Sequence, residues 1–205
     1  MYNIPYFKAN NDAEVLAFMK AHPFITLCGV AENGSPVATH IPVLFAEKEG
    51  KLWLRAHIMR KQDHTVAFEK NNQVLAIFQG PHTYISAQNY SPQNVASTWN
   101  YKAVHVKGIL HFLNEEDLLQ VLQDLTTHFE NNHDSPASVK YMDSNYLTSM
   151  MKAIVAFEVE ILDIQHVFKM SQNKDEETQK RIIDSLEKGN DDDKAVAAVM
   201  KANHL

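Results

Sequence analysis

Between residues 24 and 57 the chain reads "FITLCGV", a polar turn "AENGSP", "VATHIPVLF", a second turn "AEKEGK" and "LWLRAH". β-Branched and aromatic residues fill the three apolar segments, which suits a pleated, half-buried surface. Asn33-Gly34 in the first turn supplies the positive φ that a tight hairpin needs. Three strands joined by short loops predict an antiparallel meander and exclude alternating βαβ units in this part of the chain. Whatever else follows must pack on that sheet.

Upstream, Asn11 or Asp12 can cap a short helix carrying Val15, Leu16, Phe18 and Met19. Downstream, "IMRKQDHTVAFEKNN" breaks the β pattern and predicts a helix ending at Asn71-Asn72. "QVLAIFQG" is nearly continuous apolar, as in a strand covered on both faces, and Gln79-Gly80-Pro81 should bend or end it. From Val104 to Phe112 residues alternate, with Val104, Val106, Leu110 and Phe112 on one face. Gly108 shares that face and marks a bulge or a close backbone approach. Asn114 and the acidic residues after it open a helix with a Leu118, Leu122, Leu125, Phe129 stripe.

"NNHDSPASVKYMDSN" then reads as a polar loop, and "IVAFEVEIL" as a strand with Glu158 and Glu160 opposite its inward face. A helix stopping at Gly189 and a last one behind Asp191–Asp193 close the chain. The expected class is α+β: a small, mostly antiparallel β-barrel or curled sheet of about six strands, with inserted helices. Residues 1–170 form the barrel domain in this reading, and residues 171–205 a helical extension packed on it. As a helix-turn-helix the last pair is poor, because "GNDDDK" puts carboxylates where a DNA reader must approach phosphate.

At 205 residues the chain is long enough for one substantial core. Its formal net charge of -6 and the absence of a basic run disfavour direct DNA binding. A single cysteine, Cys28, excludes an intramolecular disulfide and reads as a small buried hydrophobe. The N-terminus lacks the basic and apolar regions of a signal peptide, and no window approaches a membrane span, so a cytoplasmic protein that contacts no membrane is expected.

Three places hold side chains suited to chemistry. Arg60-Lys61, following a strand at the start of the expected helix, could hold a phosphate dianion, or could be two solvated charges. Thr39-His40 interrupts an apolar strand, and Pro42, lacking an N–H, places that strand at an edge or cleft. Finally "IFQGPHTYISAQNY" and "STWNYKAVHVKG" crowd Gln79, Tyr84, Trp99, Asn100 and Tyr101 around Gly80. A flat, polar-edged ligand such as an isoalloxazine needs that mixture of ring faces and amides; aromatics filling a barrel core would look much the same. Eleven histidines invite a metal, but no His or Cys spacing of a ligand set occurs, so no metal site is expected. The G-x-S-x-G elbow, Walker loop and dinucleotide turn are also missing.

The blocks "HPFITL", "GSPVATHIPVLF", "VLAIFQGPHTYIS", "TWNYKAVHVKG", "AIVAFEVEI" and "KMSQNK" resemble the PaiB-type family of FMN-binding negative transcriptional regulators, in that family's order and spacing. The resemblance implies an FMN-binding split β-barrel, of the flavin-reductase-like or pyridoxamine-phosphate-oxidase-like kind, forming a homodimer with two flavin sites at its interface. It implies that His57, Arg60 and Lys61 grip the FMN phosphate and that Thr39, His40, Ile41, Pro42 and Val43 lie along the isoalloxazine. Gln79 and Gly80 would close the site, with Trp99, Asn100 and Tyr101 reaching it from the partner subunit. Where the family commonly has Asn-Pro and Trp after the third strand, this chain has Gln62-Asp63 and Thr65, and a carboxylate at position 63 weakens anion binding.

The function so implied is a flavin-linked transcriptional regulator or a weak flavin oxidoreductase; no side chain stands out as a catalytic acid, base or nucleophile. Two alternatives stay open: a ligand-free, partner-binding dimer with a vestigial flavin site, and a haem-binding split barrel with His204 as axial ligand.

Overall fold

The computed structural model describes residues 1–91 and 95–202. Among them the chain forms α1 (Asp12–Ala21), β1 (Phe24–Val30), β2 (Pro36–Pro42), β3 (Leu44–Lys48), β4 (Lys51–Met59), α2 (Asp63–Lys70) and β5 (Gln73–Ile85). Then come β6 (Thr98–Phe112), α3 (Glu115–Glu130), α4 (Ser144–Ala153), β7 (Ile154–Lys169), α5 (Glu176–Leu186) and α6 (Asp191–Ala202). The class is α+β, with seven strands in the order β2-β1-β5-β6-β7-β4-β3.

The strand beyond the expected six arises at Val43. "VATHIPVLF" is not one strand, because Pro42 has no N–H to give and the Val43 N–H leaves the ladder to donate to the Pro23 carbonyl at 2.9 Å. Before this corner β2 pairs antiparallel with β1, and after it β3 pairs antiparallel with β4. One residue therefore joins the two ends of the strand order. Pro42 does sit on an edge strand, as its missing donor requires.

Two compact units partition the chain: Met1–His22, Gln79–Val104 and Gln165–Leu205 make one, Pro23–Phe78 and His105–Ile164 the other. In the second unit, Leu54, Ala56 and Ile58 of β4 stand opposite Val159, Phe157 and Val155 of β7, all buried. Asn114 caps α3 by accepting the Asp117 N–H at 2.9 Å, and Leu118, Val121 and Leu125 pack with Ile154 and Ala156. Phe129, expected in that stripe, is half exposed at the helix end, and Val121 takes the buried place. Glu158 also departs from expectation. Both faces of β7 are covered there, so its carboxylate is buried and pairs with Arg55 Nε at 2.9 Å and with Lys48.

Helix α4 starts in the last two residues of the expected polar loop and continues over residues 146–153, to which no element had been assigned; Leu147, Met150 and Met151 recur at helical spacing, and Met151 packs against the cluster of α3 although no α4 residue is fully buried. Gly108 marks a close approach, since a Cβ there would stand 2.4 Å from the Glu160 carbonyl oxygen.

In the first unit, Asn11 caps α1 through the Glu14 N–H, and Val15, Phe18 and Met19 turn inward. Asp175 caps α5 in the same way, and Ile182, Ile183 and Leu186 meet Val196, Ala197 and Met200 of α6. At roughly 1.5–3 kcal/mol for each large apolar side chain removed from water, this contact supplies the main attraction between the two helices. Strand β5 runs on through Gly80-Pro81, where a bend or end was expected. Gly80 serves packing instead: a Cβ would lie 2.6 Å from the Phe18 ring and 3.2 Å from His22 Nε2. The strand nevertheless registers the Gly-Pro pair, because the exposed face passes from Gln79 to His82, three places on rather than two.

Candidate functional site

The candidate residues fall into two groups, one in each compact unit. Five lie at the β2 end of the second unit. Thr39, His40, Ile41 and Pro42 pair with Leu27, Thr26, Ile25 and Phe24 of β1, and Val43 is the corner. Strand alternation buries Ile41 and Val43, leaves Thr39 and Pro42 half-buried and exposes His40. The His40 imidazole lies stacked beside Phe24, ring centroids 6.3 Å apart.

His57, Arg60 and Lys61 follow on β4 and the turn behind it. His57 shares a face of β4 with Trp53 and Arg55, the face opposite Leu54 and Ala56. Its Nδ1 is buried without a hydrogen-bond partner among the described residues, and burial pulls the imidazole below its ordinary value, so the ring is neutral near pH 7. Arg60 and Lys61 were expected at the start of a helix; they lie in the turn before α2, because the Arg60 N–H donates to the Ala153 carbonyl at 2.8 Å. Lys61 takes a left-handed φ of 62°, uncommon for a residue with a Cβ. Among the described residues no carboxylate pairs with either cation.

The start of α2 is already occupied by a carboxylate. Asp63 Oδ1 accepts the His64 N–H at 2.7 Å and lies 3.2 Å from His64 Nδ1. A cleft of about 670 Å³ runs beside it, lined by Glu32 and Asn33 of the first turn and by Lys61, Asp63 and Lys70.

The second group belongs to the first unit. Gln79, His82 and Tyr84 on β5, with Trp99 on β6, point to solvent. His82 and Trp99 have ring centroids 6.3 Å apart, Tyr84 and Trp99 meet edge-on at 6.2 Å, and Gln79 Nε2 lies 3.3 Å from His82 Nδ1. Trp99 remains 53% exposed and Tyr84 52%, so three rings and an amide form one uncovered surface. His82 was not anticipated. Its signal was the period-2 match to Tyr84, masked by the slip at Pro81.

Asn100 alternates to the other face and is wholly buried; it accepts from Ser171 Oγ at 3.0 Å and its Nδ2 stands 3.5 Å from Met200 Sδ. Gly80 is buried against Phe18, and Tyr101 is half-buried, its phenol raised above the usual range by burial. His204 lies outside the described residues. No group of three or more His, Cys, Asp or Glu side chains is placed to hold a metal among the described residues.

The family model described as "Putative FMN-binding domain" matches residues 1–163. The chain belongs to this FMN-binding domain family. This member is 35% identical over 187 residues to the protease synthase and sporulation protein PAI 2 of Bacillus subtilis, across 91% of this chain and 89% of that one. Its fold is a split β-barrel. It is similar to the FAD and haem binding protein from Mycobacterium smegmatis, at a TM-score of 0.60 and 15% identity over 84% of this chain and 78% of that one. The conserved hypothetical protein Rv2991 from Mycobacterium tuberculosis is similar at a TM-score of 0.56 and 15% identity, over 79% and 87% of the two chains. At such identities the likeness is one of fold. Among the described residues no helix is long and apolar enough to cross a membrane.

Proposed function

We propose that this family member binds FMN and acts as a flavin-linked regulator, in a homodimer whose interface holds the flavin. One observation carries the reading: Trp99, Tyr84 and His82 leave three ring faces, beside the Gln79 amide, uncovered on adjacent strands. Isolated exposed apolar residues are ordinary, but contiguous aromatic surface with its own hydrogen-bonding group suits a flat, polar-edged ligand.

The donor set of the second unit fits a phosphate-bearing flavin in type. Among the described residues Arg60 and Lys61 are cations without a carboxylate partner and His57 Nδ1 is a buried polar atom without a hydrogen bond. In this reading Arg60 and Lys61 hold the phosphate electrostatically, His57 orients it as a neutral hydrogen-bonding group, and Thr39–Val43 present an edge strand to the ring system. Gln79, Trp99 and Tyr101 contact the ring from the partner subunit, and the Gly80 and Asn100 positions set the backbone of that wall. FMN, once bound, supplies reversible electron transfer; the protein supplies position and excludes water. The relative's name links it to protease synthesis and sporulation, and regulation is assigned here by that association. With a net charge of -6, the regulator would act through a partner, not by unaided contact with DNA.

The Asp63 carboxylate favours one competing reading, a site that has lost its phosphate and keeps only the partner-binding surface. Titration of the purified protein with FMN and with riboflavin, followed by flavin fluorescence, separates the two. One FMN per subunit, weakened at least tenfold by Arg60→Ala while riboflavin is unaffected, is the expected result. No FMN binding at high micromolar concentration would remove the flavin reading and leave the partner-binding dimer.

A further inference from the structure

Of the first ten residues only Phe7 is buried; the others are exposed or half-buried. A chain terminus with so little apolar contact stays in place only where hydrogen bonds tie it down. One turn of 3-10 helix at Pro5–Phe7 leads into Lys8 and Ala9, and both are tied to the same residue of β7. Lys8 Nζ donates to the His166 carbonyl at 3.1 Å, and the Ala9 N–H donates to His166 Nε2 at 3.0 Å.

The second bond fixes a protonation state. A backbone N–H can only donate, so Nε2 must keep its lone pair and the imidazole must be neutral. A proton on Nε2 would set two donors face to face and place a positive ring beside the Lys8 ammonium. The charged groups around the ring are Lys8 on the segment itself, Asp12 and Glu14 of α1, and Lys102 of β6, which lies over the neighbouring Phe168 ring. Glu14 is committed elsewhere: one oxygen accepts the Asn10 N–H at 2.9 Å and the other lies 3.5 Å from Lys102 Nζ. Burial and then Lys8 outweigh the pull of Asp12 and Glu14, which keeps the ring's pKa below the ordinary histidine value.

We propose that His166 is an acid-released latch for the N-terminal segment: residues 1–9 are held on β7 while the imidazole is neutral and come free when it takes a proton. Above the ordinary histidine range both ties stand. As pH falls, the ring gains its proton only as the Ala9 bond breaks, so acid favours the open segment. Release withdraws Phe7 from Lys169, whose Nζ lies 5.7 Å from the Phe7 ring centroid and donates to Thr98, the residue before Trp99. The latch thus ends beside the exposed ring of β6, and it holds whether or not a flavin binds there.

The test uses the full-length protein and hydrogen exchange read by mass spectrometry at pH 7.5 and 5.5, with exchange times scaled for the intrinsic rates at each pH. The Phe7, Lys8 and Ala9 amides, all hydrogen-bonded in the closed segment, should exchange several-fold faster at pH 5.5, with peptides from α5 and α6 unchanged. His166→Gln, which keeps an acceptor without a titrating ring, should exchange alike at the two pH values. Equal protection of the segment at both values in the native chain overturns the proposal, as does a pH effect that survives His166→Gln. Loss of protection in α5 and α6 alongside the segment also overturns it, since the whole fold would then be opening. Should His166→Gln fail to fold, Lys8→Met decides: removing the like charge moves the midpoint of release to higher pH, and an unmoved midpoint refutes the latch.

Discussion

Replacing Gly108 by alanine should destabilise this protein out of proportion to the one methyl group added. In an ordinary strand the change would be neutral or favourable, since alanine loses less backbone freedom on folding, by roughly 0.5–1 kcal/mol. Here the new Cβ would stand 2.4 Å from the Glu160 carbonyl oxygen and 2.5 Å from Val159 Cγ1. Ordinary carbon–oxygen contact needs about 1 Å more, and the obstacle is backbone, which cannot rotate aside as a side chain can. Relief requires β6 and β7 to separate locally, which breaks on the order of two ladder hydrogen bonds at about 1 kcal/mol each. Displacing the fully buried Val106 and the nearly buried Leu110 from their packing adds an overpacking cost of about 1–3 kcal/mol. The net loss is then about 2–4.5 kcal/mol, which for a domain of this size lowers Tm by roughly 4–18 °C. Differential scanning fluorimetry measures it against the native chain. A Gly108→Ala protein melting within 2 °C of the native chain would refute the argument that strand spacing is fixed by the missing side chain.

Asp63→Asn should tighten FMN binding several-fold and leave riboflavin unchanged, because it removes a carboxylate from the start of α2 while keeping an acceptor for the His64 N–H; equal gains for both flavins in a fluorescence titration would place the phosphate elsewhere. Glu158→Gln should cost about 3 kcal/mol in urea unfolding, since it leaves the largely buried Arg55 guanidinium with only Asp124, at 3.4 Å, whereas joint replacement of Arg55 and Glu158 by Met and Leu should recover most of that; a midpoint unmoved by the single change would mean the pair is solvated. His166 Nε2 accepts the Ala9 N–H at 3.0 Å, and burial, then Lys8, hold its pKa below the usual histidine value against the opposing pull of Asp12 and Glu14. The unfolded chain therefore takes up this proton first as pH falls. Stability is intact above about 6.5 and declines below it. His166→Gln, which keeps an acceptor without a titrating ring, should flatten the change in urea midpoint between pH 7.5 and 5.5.

Local signals were legible where the sequence carries its own partner. Asn11 and Asn114 each find a backbone N–H three residues on, and Gly34 takes its expected positive φ. What sequence could not show depends on residues brought from far along the chain. The corner at Val43 is decided by the Pro23 carbonyl, and the burial of Glu158 by Arg55 and Lys48. Helix α4 did carry a short helical period, Leu147, Met150 and Met151, in a stretch to which no element was assigned. At the candidate site, residue types were legible and directions only in part: alternation along β6 puts Trp99 and Asn100 on opposite faces, and the Asn100 amide is spent on Ser171, a residue seventy-one places away. His82 escaped notice because the face slips at Pro81.

The corner at Val43 also bears on how the chain is made. The β1–β2 and β3–β4 hairpins are complete once the first 59 residues exist, yet β5, β6 and β7 stand between them in the sheet and are synthesised later. On the ribosome the β1–β2 hairpin keeps an unpaired inner edge until β5 emerges, and the β3–β4 hairpin keeps one until β7 does, since β1 pairs with β5 and β4 with β7. The last strand to leave the tunnel is thus the one that closes the sheet, and a truncated translation product ending before it would present open strand edges to its neighbours.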